Sequence, residues 1–458
     1  LKSSILTRDY RESLSASPVQ QLSNATKLQR FGVAHILIVM AAAAYFMANV
    51  EMPPWTGYVS GVNVVLFAIP AFWATRRWLG WRDAVLLWAT LGILAITLET
   101  FAIVTGFPYG HFGYSDLLGY RLFGYAPGTV FLAWTPLVIG AWAIASQLAV
   151  RSLQWAIRIP LTAIFLVGFD LVLDPGAVKL GFWKYDIGGE FYGVPISNFL
   201  GWLVSGSIGA LLIEMFVAWR KPLLPTPIQL SASSFFIVFF WTAIAVFSAM
   251  VVPAVIGLAG TVSIAAIYFR FRYPFDDMVV LVDENNVPIA TARKLPTHDA
   301  DTPLHRAFSV FIFSEEGELL LQQRAGSKKT WPLVWSNSCC GHVMLHETTA
   351  DAARRRVKFE LGLTGIRLKC ILPDFRYRAE KDGVVENEIC PVFVGFTTRE
   401  PRPNADEVEA TQWLPWATFV IESSRAENVL SPWATQEAML LSRDAEFNRL
   451  LDEQTLRS

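Results

Sequence analysis

The sequence predicts two folds in one chain: an all-α polytopic membrane helix bundle over residues 31–272, then an α+β domain over residues 273–458. Three observations carry this. Apolar windows long enough to cross a bilayer recur from residue 31 onward. From about residue 276 the pattern changes to short strands separated by polar turns. All four cysteines, Cys339, Cys340, Cys370 and Cys390, lie beyond that change. The 458 residues are 53% hydrophobic and only 17% charged, low for a soluble protein. A net charge of −1 gives no reason to expect a nucleic-acid partner.

The polar amino terminus, residues 1–30, lacks a signal-peptide core and reads as a cytoplasmic tail. Spans are expected near 31–50, 58–75, 84–105, 128–150, 156–173 and 196–219. The apolar run 234–269 is about twice the length one span needs. Pro253, with Gly257 and Gly260 beyond it, points to a hairpin of two spans there and a total of about eight. Arg8, Arg11, Lys27 and Arg30 precede the first span. Arg76, Arg77 and Arg82 lie in the second connection, Arg151 and Arg158 in the fourth, Arg220 and Lys221 in the sixth. That places the even-numbered connections and both termini in the cytoplasm, with the chain integral to the inner membrane. Arg270 and Arg272 after the last span agree with an even count.

Acids at membrane depth are costly and therefore point to function. They are Glu99, Asp170, Asp174 and Glu214. Glu99 and Asp170 sit inside long apolar stretches and favour a functional reading. Asp174 and Glu214 balance between function and hydrogen bonding near a span end. An acid kept protonated by desolvation can protonate an alkene.

The stretches "TGFPYGHFGYSDLLGY", "DLVLDPGAVKLGFWKY" and "YGVPISNFLGWLVSG" give residues 35–270 a likeness to a known family. This half resembles the membrane carotenoid hydratases that act on acyclic ends of γ-carotene and bacterioruberin precursors. The resemblance implies a lipophilic carotenoid or terpene substrate in the bilayer, and addition of water across its terminal trisubstituted double bond. Glu99, Asp170 and Asp174 are the candidate acids. His111 and Tyr114 are expected to be structural rather than catalytic. A proton-initiated cyclase needs the same acid, so that reading stays open, as does a non-catalytic anchor. A transporter is disfavoured because no inverted repeat is evident.

In the second half, "MVVLVDENNVPIA" and "AFSVFIFSEEGELLLQQRA" each read as strand, turn, strand. "TTADAARRRVKFELG" reads as a helix ending at Gly362. Strands are expected at "ICPVFVGFTT" and "ATQWLPW", and a final helix over about 432–450. The cysteines suit a reducing compartment, with at least one thiol kept for chemistry.

The segment from Gly341 to Leu363 has the spacing of a Nudix box, through Gly341, Glu347, Arg355, Glu360 and Gly362. Arg356 and Phe359 replace carboxylates that a diphosphate hydrolase would use for magnesium, so hydrolysis is disfavoured. The motifs "THDADTPLHRAFSVFIF", "RAGSKKTWPLVWSNSCCGH", "RRRVKFELG", "PDFRYRA", "ENEICPVF" and "LSPW" cover the whole domain. In these it closely resembles type I isopentenyl-diphosphate isomerase, a Nudix-like fold. It departs by Cys339, where relatives often differ, and by a short turn between Tyr377 and Glu386.

The resemblance implies isomerisation of isopentenyl to dimethylallyl diphosphate. It implies Cys340 as the thiol on one face of the substrate and Glu388 on the other, with Tyr377 beside Glu388. Cys340 is preferred to Cys339 because it abuts "GH". Trp433 would face the tertiary cation, worth about 1–2 kcal/mol when desolvated. Lys294, Arg324, Lys328 and Arg356 match diphosphate-binding positions. His298, His305, His342, Glu386 and Glu388 form a mixed nitrogen–oxygen set suited to magnesium, manganese or zinc. Glu360 would hold a second magnesium with the diphosphate. His346, Glu347, Lys329 and Arg354 are expected to be solvated. The two halves would then be one bifunctional isoprenoid and carotenoid protein.

Overall fold

The computed structural model describes residues 18–456 except 52, 54, 150–153, 273, 274 and 426–428. Of the basic residues on which the expected orientation rests, Arg8, Arg11 and Arg151 lie outside the described residues, as does the tail up to residue 17. The chain divides into two compact units, the first Ala25–Tyr273 and the second built on Pro274–Ser458.

Among the described residues the first unit is a bundle of eight helices. They supply eight segments long and apolar enough to cross a membrane, the seventh only with the 3-10 turn that precedes it, Ile228–Phe247. They are α1 (Pro18–Asn49), α2 (Thr56–Leu79), α3 (Trp81–Thr105), α4 (Val130–Leu148), α5 (Gln154–Lys179), α6 (Ile196–Arg220), α7 (Ala232–Phe247) and α8 (Val251–Phe271). Helix α1 begins well before the expected span, so residues 18–30 of the tail are helical. The run 234–269 does split in two, but its turn lies at Ser248–Met250, where Ala249 has φ +56°. Pro253 sits in the first turn of α8, where its missing N–H costs no hydrogen bond. Gly257 acts by size: a Cβ there would stand 2.1 Å from Thr242 Oγ1, so glycine lets α7 and α8 touch. Helix α4 is the hub, with 72% of its spanning window buried.

Glu214 has a structural role. Arg158 donates Nε to its Oε1 and Nη2 to its Oε2, both at 2.6 Å, and Trp142 Nε1 donates to Oε1 at 2.7 Å. A bidentate, shielded pair of this kind stabilises its surroundings only while both partners remain.

The second unit is a sheet layered between helices. Its strands are β3 (Met278–Val282), β4 (Pro288–Arg293), β5 (His305–Phe313), β6 (Glu318–Arg324), β7 (Trp335–Ser336), β8 (Cys339–His342), β9 (Lys369–Leu372), β10 (Arg376–Lys381), β11 (Val384–Ile389), β12 (Val392–Phe396) and β13 (Val408–Pro415). Two further three-residue strands, β1 (Phe112–Tyr114) and β2 (Trp183–Tyr185), belong to the helical unit. The helices are α9 (Lys294–Thr297), α10 (Thr349–Leu361), α11 (Trp416–Ser423), α12 (Pro432–Leu441) and α13 (Ala445–Thr455).

Strand β5 is apolar on both faces because both are covered. Phe308, Val310 and Ile312 pack with Val357 and Leu361 of α10. Phe311 and Phe313 pack with Phe419 of α11 and Phe447 of α13. Helix α10 is capped by Thr348, whose hydroxyl accepts from Asp351 N, and stops at Gly362 with φ +67°. The expected single helix over 432–450 is broken at residues 442–444, where Asp444 caps α13 by accepting from Phe447 N. Likewise "ICPVFVGFTT" is not one strand: β11 ends at Ile389 and β12 begins at Val392, each running parallel to β5.

Candidate functional sites

Four segments of the second unit bring the imidazoles and carboxylates together. His305 opens β5, His342 closes β8, Glu386 and Glu388 lie on one face of β11, and His298 follows α9. Glu388 is in register with His305, and His342 with Ala307. One ligand atom each from His298, His305, His342 and Glu386 lies within 4.8 Å of the others. Glu388 Oε1 is 3.4 Å from His305 Nε2 and 3.2 Å from His342 Nε2. His298, His305, Glu386 and Glu388 are all buried.

The hydrogen bonding fits a divalent cation. His298 Nδ1 is 2.6 Å from the Lys294 carbonyl, and His305 Nδ1 is 2.8 Å from the Pro303 carbonyl. A carbonyl only accepts, so each Nδ1 carries the proton and each Nε2 turns a lone pair inward. His298 Nε2 and Glu386 Oε2 are buried 3.1 Å apart, and neither has a hydrogen-bond partner among the described residues. A cation satisfies both. Burial and the nearby Lys294 charge push His342 well below the usual imidazole range, so it is neutral and able to ligate.

Cys340 lies on β8, two residues before His342 and on the same face of the strand. Burial pushes its thiol up to about 12, with Arg324 opposing. Arg324 Nη1 lies 3.7 Å from the sulfur. At neutral pH the group is therefore a thiol with a proton to give. Tyr377 Oη donates to Glu388 Oε2 at 2.7 Å, and its ring centroid is 5.5 Å from that of Trp433. Trp433 is fixed by Nε1 donating to Asn337 Oδ1 at 3.2 Å, and Trp331 meets it edge-on at 5.5 Å. Asn337 had no assigned role in the sequence reading, although it lies inside the "WSNSCCGH" motif.

The cation cluster is partly as expected. Lys328 and Arg356 both contact Glu407, and Arg356 also pairs with the buried Glu360. The pKa of Lys294 is lowered by burial and then by the charges of Lys328 and Arg356, which places its ammonium in the same group. Glu407 was not anticipated; the acidic run "ADEVE" was the only signal. Glu347 is not solvated as expected: it takes two hydrogen bonds from Arg355, at 2.7 and 2.8 Å.

Glu437 was also missed. It is fully buried on α12, one turn beyond Trp433, and neither carboxyl oxygen has a hydrogen-bond partner among the described residues. Burial, reinforced by the Glu388 charge, raises its pKa well above the usual 4.5. The folded state then holds a proton that the unfolded chain releases above 4.5. Stability from this group is full below 4.5 and is lost as pH rises through the folded value. Glu437→Gln is expected to remove that pH dependence, because the amide does not titrate. The check is the amide-exchange protection factor of α12 in the full chain: falling with pH in the parent, flat in the variant.

The helical unit holds a second site. An apolar cavity of about 140 Å³ is lined by Glu99, Tyr114, Asp174, Tyr185 and Asn198 among aromatic side chains. That is roughly the size of cavities that take up a benzene-sized guest. Of the three candidate acids, Glu99 and Asp174 line it, whereas Asp170 is fully buried outside the lining. His111 is exposed and is not part of the wall.

Residues 58–264 match the family described as "Carotenoid biosynthesis protein", and residues 303–433 match the NUDIX domain. The isopentenyl-diphosphate Delta-isomerase of Saccharopolyspora erythraea is 48% identical over 162 residues, 35% of this chain and 84% of that protein. The protein of the same name from Mycolicibacterium vanbaalenii is 45% identical over 36% of this chain and 91% of its own. The one from Escherichia coli is 44% identical over 37% and 97%. A solved protein of Deinococcus radiodurans aligns over 36% of this chain and 98% of its own, with 16% identity and a TM-score of 0.30. Through its second unit the chain belongs to the isopentenyl-diphosphate Delta-isomerase family, with a Nudix domain, and that unit follows a membrane-type carotenoid biosynthesis domain.

Proposed function

We propose a bifunctional enzyme of isoprenoid and carotenoid synthesis. The second unit isomerises isopentenyl to dimethylallyl diphosphate, and the helical unit hydrates the terminal alkene of an acyclic carotenoid end. The observation that carries the isomerase reading is the convergence of Cys340, Tyr377–Glu388 and the Trp433 face beside a buried three-histidine, two-carboxylate cluster.

In this mechanism Lys294, Arg324, Lys328 and Arg356 hold the diphosphate, with bidentate contacts from the arginines. A proton enters the terminal alkene carbon from one face, from Cys340 or from the Tyr377–Glu388 pair. The tertiary cation rests against Trp433. The opposite group removes a proton from the carbon next to the diphosphate-bearing one, and the double bond moves by one position. Because the reaction is reversible, each group is an acid in one direction and a base in the other. A divalent cation (magnesium, manganese or zinc) held by His298, His305, His342, Glu386 and Glu388 would orient and polarise the carboxyl group of Glu388. Glu360 would hold a second magnesium with the diphosphate.

The carotenoid reading rests on the family match and on two carboxyl groups in one apolar chamber. Arginines at even-numbered connections favour cytoplasmic termini in the inner membrane, where the water-soluble diphosphate substrate would be found. The test uses the full chain in nanodiscs, with labelled isopentenyl diphosphate plus magnesium, then with lycopene or γ-carotene. Dimethylallyl diphosphate and a carotenoid heavier by one water are expected. A product of unchanged mass and altered retention would mean a cyclase, and no carotenoid conversion would mean an anchor.

A further inference from the structure

The carotenoid chamber has a lid that supplies one tyrosine to each of its carboxyl groups. Strands β1 and β2 pair Phe112 with Tyr185 and Tyr114 with Trp183, which puts all four aromatic rings on one face of the ribbon. Tyr114 Oη donates to Glu99 Oε2 at 2.9 Å. Tyr185 Oη donates to Asp174 Oδ2 at 2.8 Å, and Asn198 Nδ2 donates to the same oxygen at 2.7 Å. Asp170 stands one helical turn earlier on α5. Its Oδ2 takes the second hydrogen of Asn198 Nδ2 at 2.7 Å, and its Oδ1 is buried with no partner among the described residues.

Resting on the hydratase reading above, we propose that the two chamber carboxyls divide the reaction: Asp174 protonates the terminal alkene, and Glu99 takes the proton of the water that captures the cation. The less substituted alkene carbon gains the Asp174 proton, leaving a tertiary cation and a carboxylate. Water oxygen bonds to the cation and loses one proton to Glu99. That proton returns to Asp174 through chamber water, so the sum is alkene plus water to tertiary alcohol. No other co-reactant is needed.

The hydrogen-bond pattern assigns the roles. An acid in an apolar wall must leave its negative charge where donors already point at it. Asp174 has two such donors on one oxygen, and Glu99 has one. Among the described residues the second oxygen of Glu99 takes no hydrogen bond, which leaves it free to hold a water molecule. Asp170 is not itself part of the chamber lining and acts through Asn198, as a positioning residue that fixes the amide against Asp174. Phe112 and Trp183 line the same chamber as both acids, and aromatic faces suit a cation that has no counter-charge of its own. The substrate class this chamber takes is the acyclic, branched end of a long polyene, inserted end-on.

The chamber also has a defined end of the bundle. Glu99 lies near the last turn of α3, Asp174 near that of α5 and Asn198 in the first turn of α6. These helix ends meet the odd-numbered connections, opposite the end where α1 begins and α8 finishes. The polyene end is therefore processed in the leaflet away from the chain's own entry and exit.

The deciding experiment runs the full chain in nanodiscs in D2O with an acyclic carotenoid, and reads both the mass gain of water and deuterium in the recovered starting material. The parent should hydrate. Glu99→Gln should lower hydration at least tenfold while the recovered carotenoid still acquires deuterium in its terminal unit, because the cation forms and collapses. Asp174→Asn should lose both signals, and Asp170→Asn should lower both together. Isomerase activity of the same molecules reports the second unit alone, so an unchanged thermal transition of the helical unit in all three variants is the control that shows the bundle is folded. Hydration by Glu99→Gln at the parent rate, or deuterium uptake by Asp174→Asn, overturns the division of roles. A parent that yields only a deuterium-bearing isomer with no water added removes the hydratase reading and the role of Glu99, while that deuterium uptake still scores Asp174. A parent that does neither overturns both.

Discussion

Replacing Cys340 with alanine is expected to lower isopentenyl-diphosphate isomerisation by about 10²–10⁴-fold, the usual worth of a positioned acid or base. Replacing its neighbour Cys339 should leave turnover within about tenfold of the parent, costing on the order of 1 kcal/mol of stability. Alternation along β8 is the reason. Side chains two apart share a face, so Cys340 faces the same way as His342 while Cys339 points to the other side. Cys339 is fully buried with Phe308, Val310, Val357 and Leu361, in the core beneath α10. Cys340 packs on the opposite cluster, with Tyr377 and Trp433. Steady-state rates with labelled substrate decide the point, and the metal content of each variant shows that His342 is undisturbed. Equal loss in both variants, or a larger loss at Cys339, would remove Cys340 from its place opposite Glu388.

Much of this was legible in the sequence, for identifiable reasons. Span count and the β5–β6 hairpin follow from hydrophobic period and turn residues, which are local. The choice of Cys340 over Cys339 rested on the adjacent "GH", and strand alternation gives it a physical cause. What escaped is what depends on non-local contact. Asn198 and Tyr185 are ordinary residues until α6 and β2 bring them to Asp174. Three-residue strands such as β1 and β2 have too few positions to show a period. The apolar surroundings along the sequence favour Asp170 over Asp174, yet of the two only Asp174 lines the chamber. Glu437 belongs to no motif, although its spacing one turn beyond Trp433 was a usable signal. Glu347 reads as a surface acid until Arg355 folds back from α10 to meet it.

Stripping divalent metal from the full chain with a chelator is expected to abolish isomerisation, and adding magnesium, manganese or zinc to restore it. The isomerase fold should respond as well, since a cation that binds only the folded state contributes about 2.7 kcal/mol at a hundredfold excess over its dissociation constant. The effect should concentrate where the donors are: amide protection should fall in β5 and β11, which carry His305, Glu386 and Glu388, more than in α13. His305→Asn makes the same case without a chelator. It keeps a polar side chain but withdraws the Nε2 lone pair that the Pro303 carbonyl aims inward. The variant is expected to bind less metal per chain and to lose at least about 10²-fold in turnover, the upper range for disturbing a metal site's surroundings. Breaking the cluster also leaves Glu388 and Glu386 buried without the cation that balances them, and burial of an unpaired carboxylate is costly. Raising the pH therefore should not rescue the stripped protein, because it supplies no positive charge to replace the cation. A stripped chain that retains full activity and unchanged protection in β5 and β11 would show that these five side chains form a hydrogen-bonded polar core and not a metal centre.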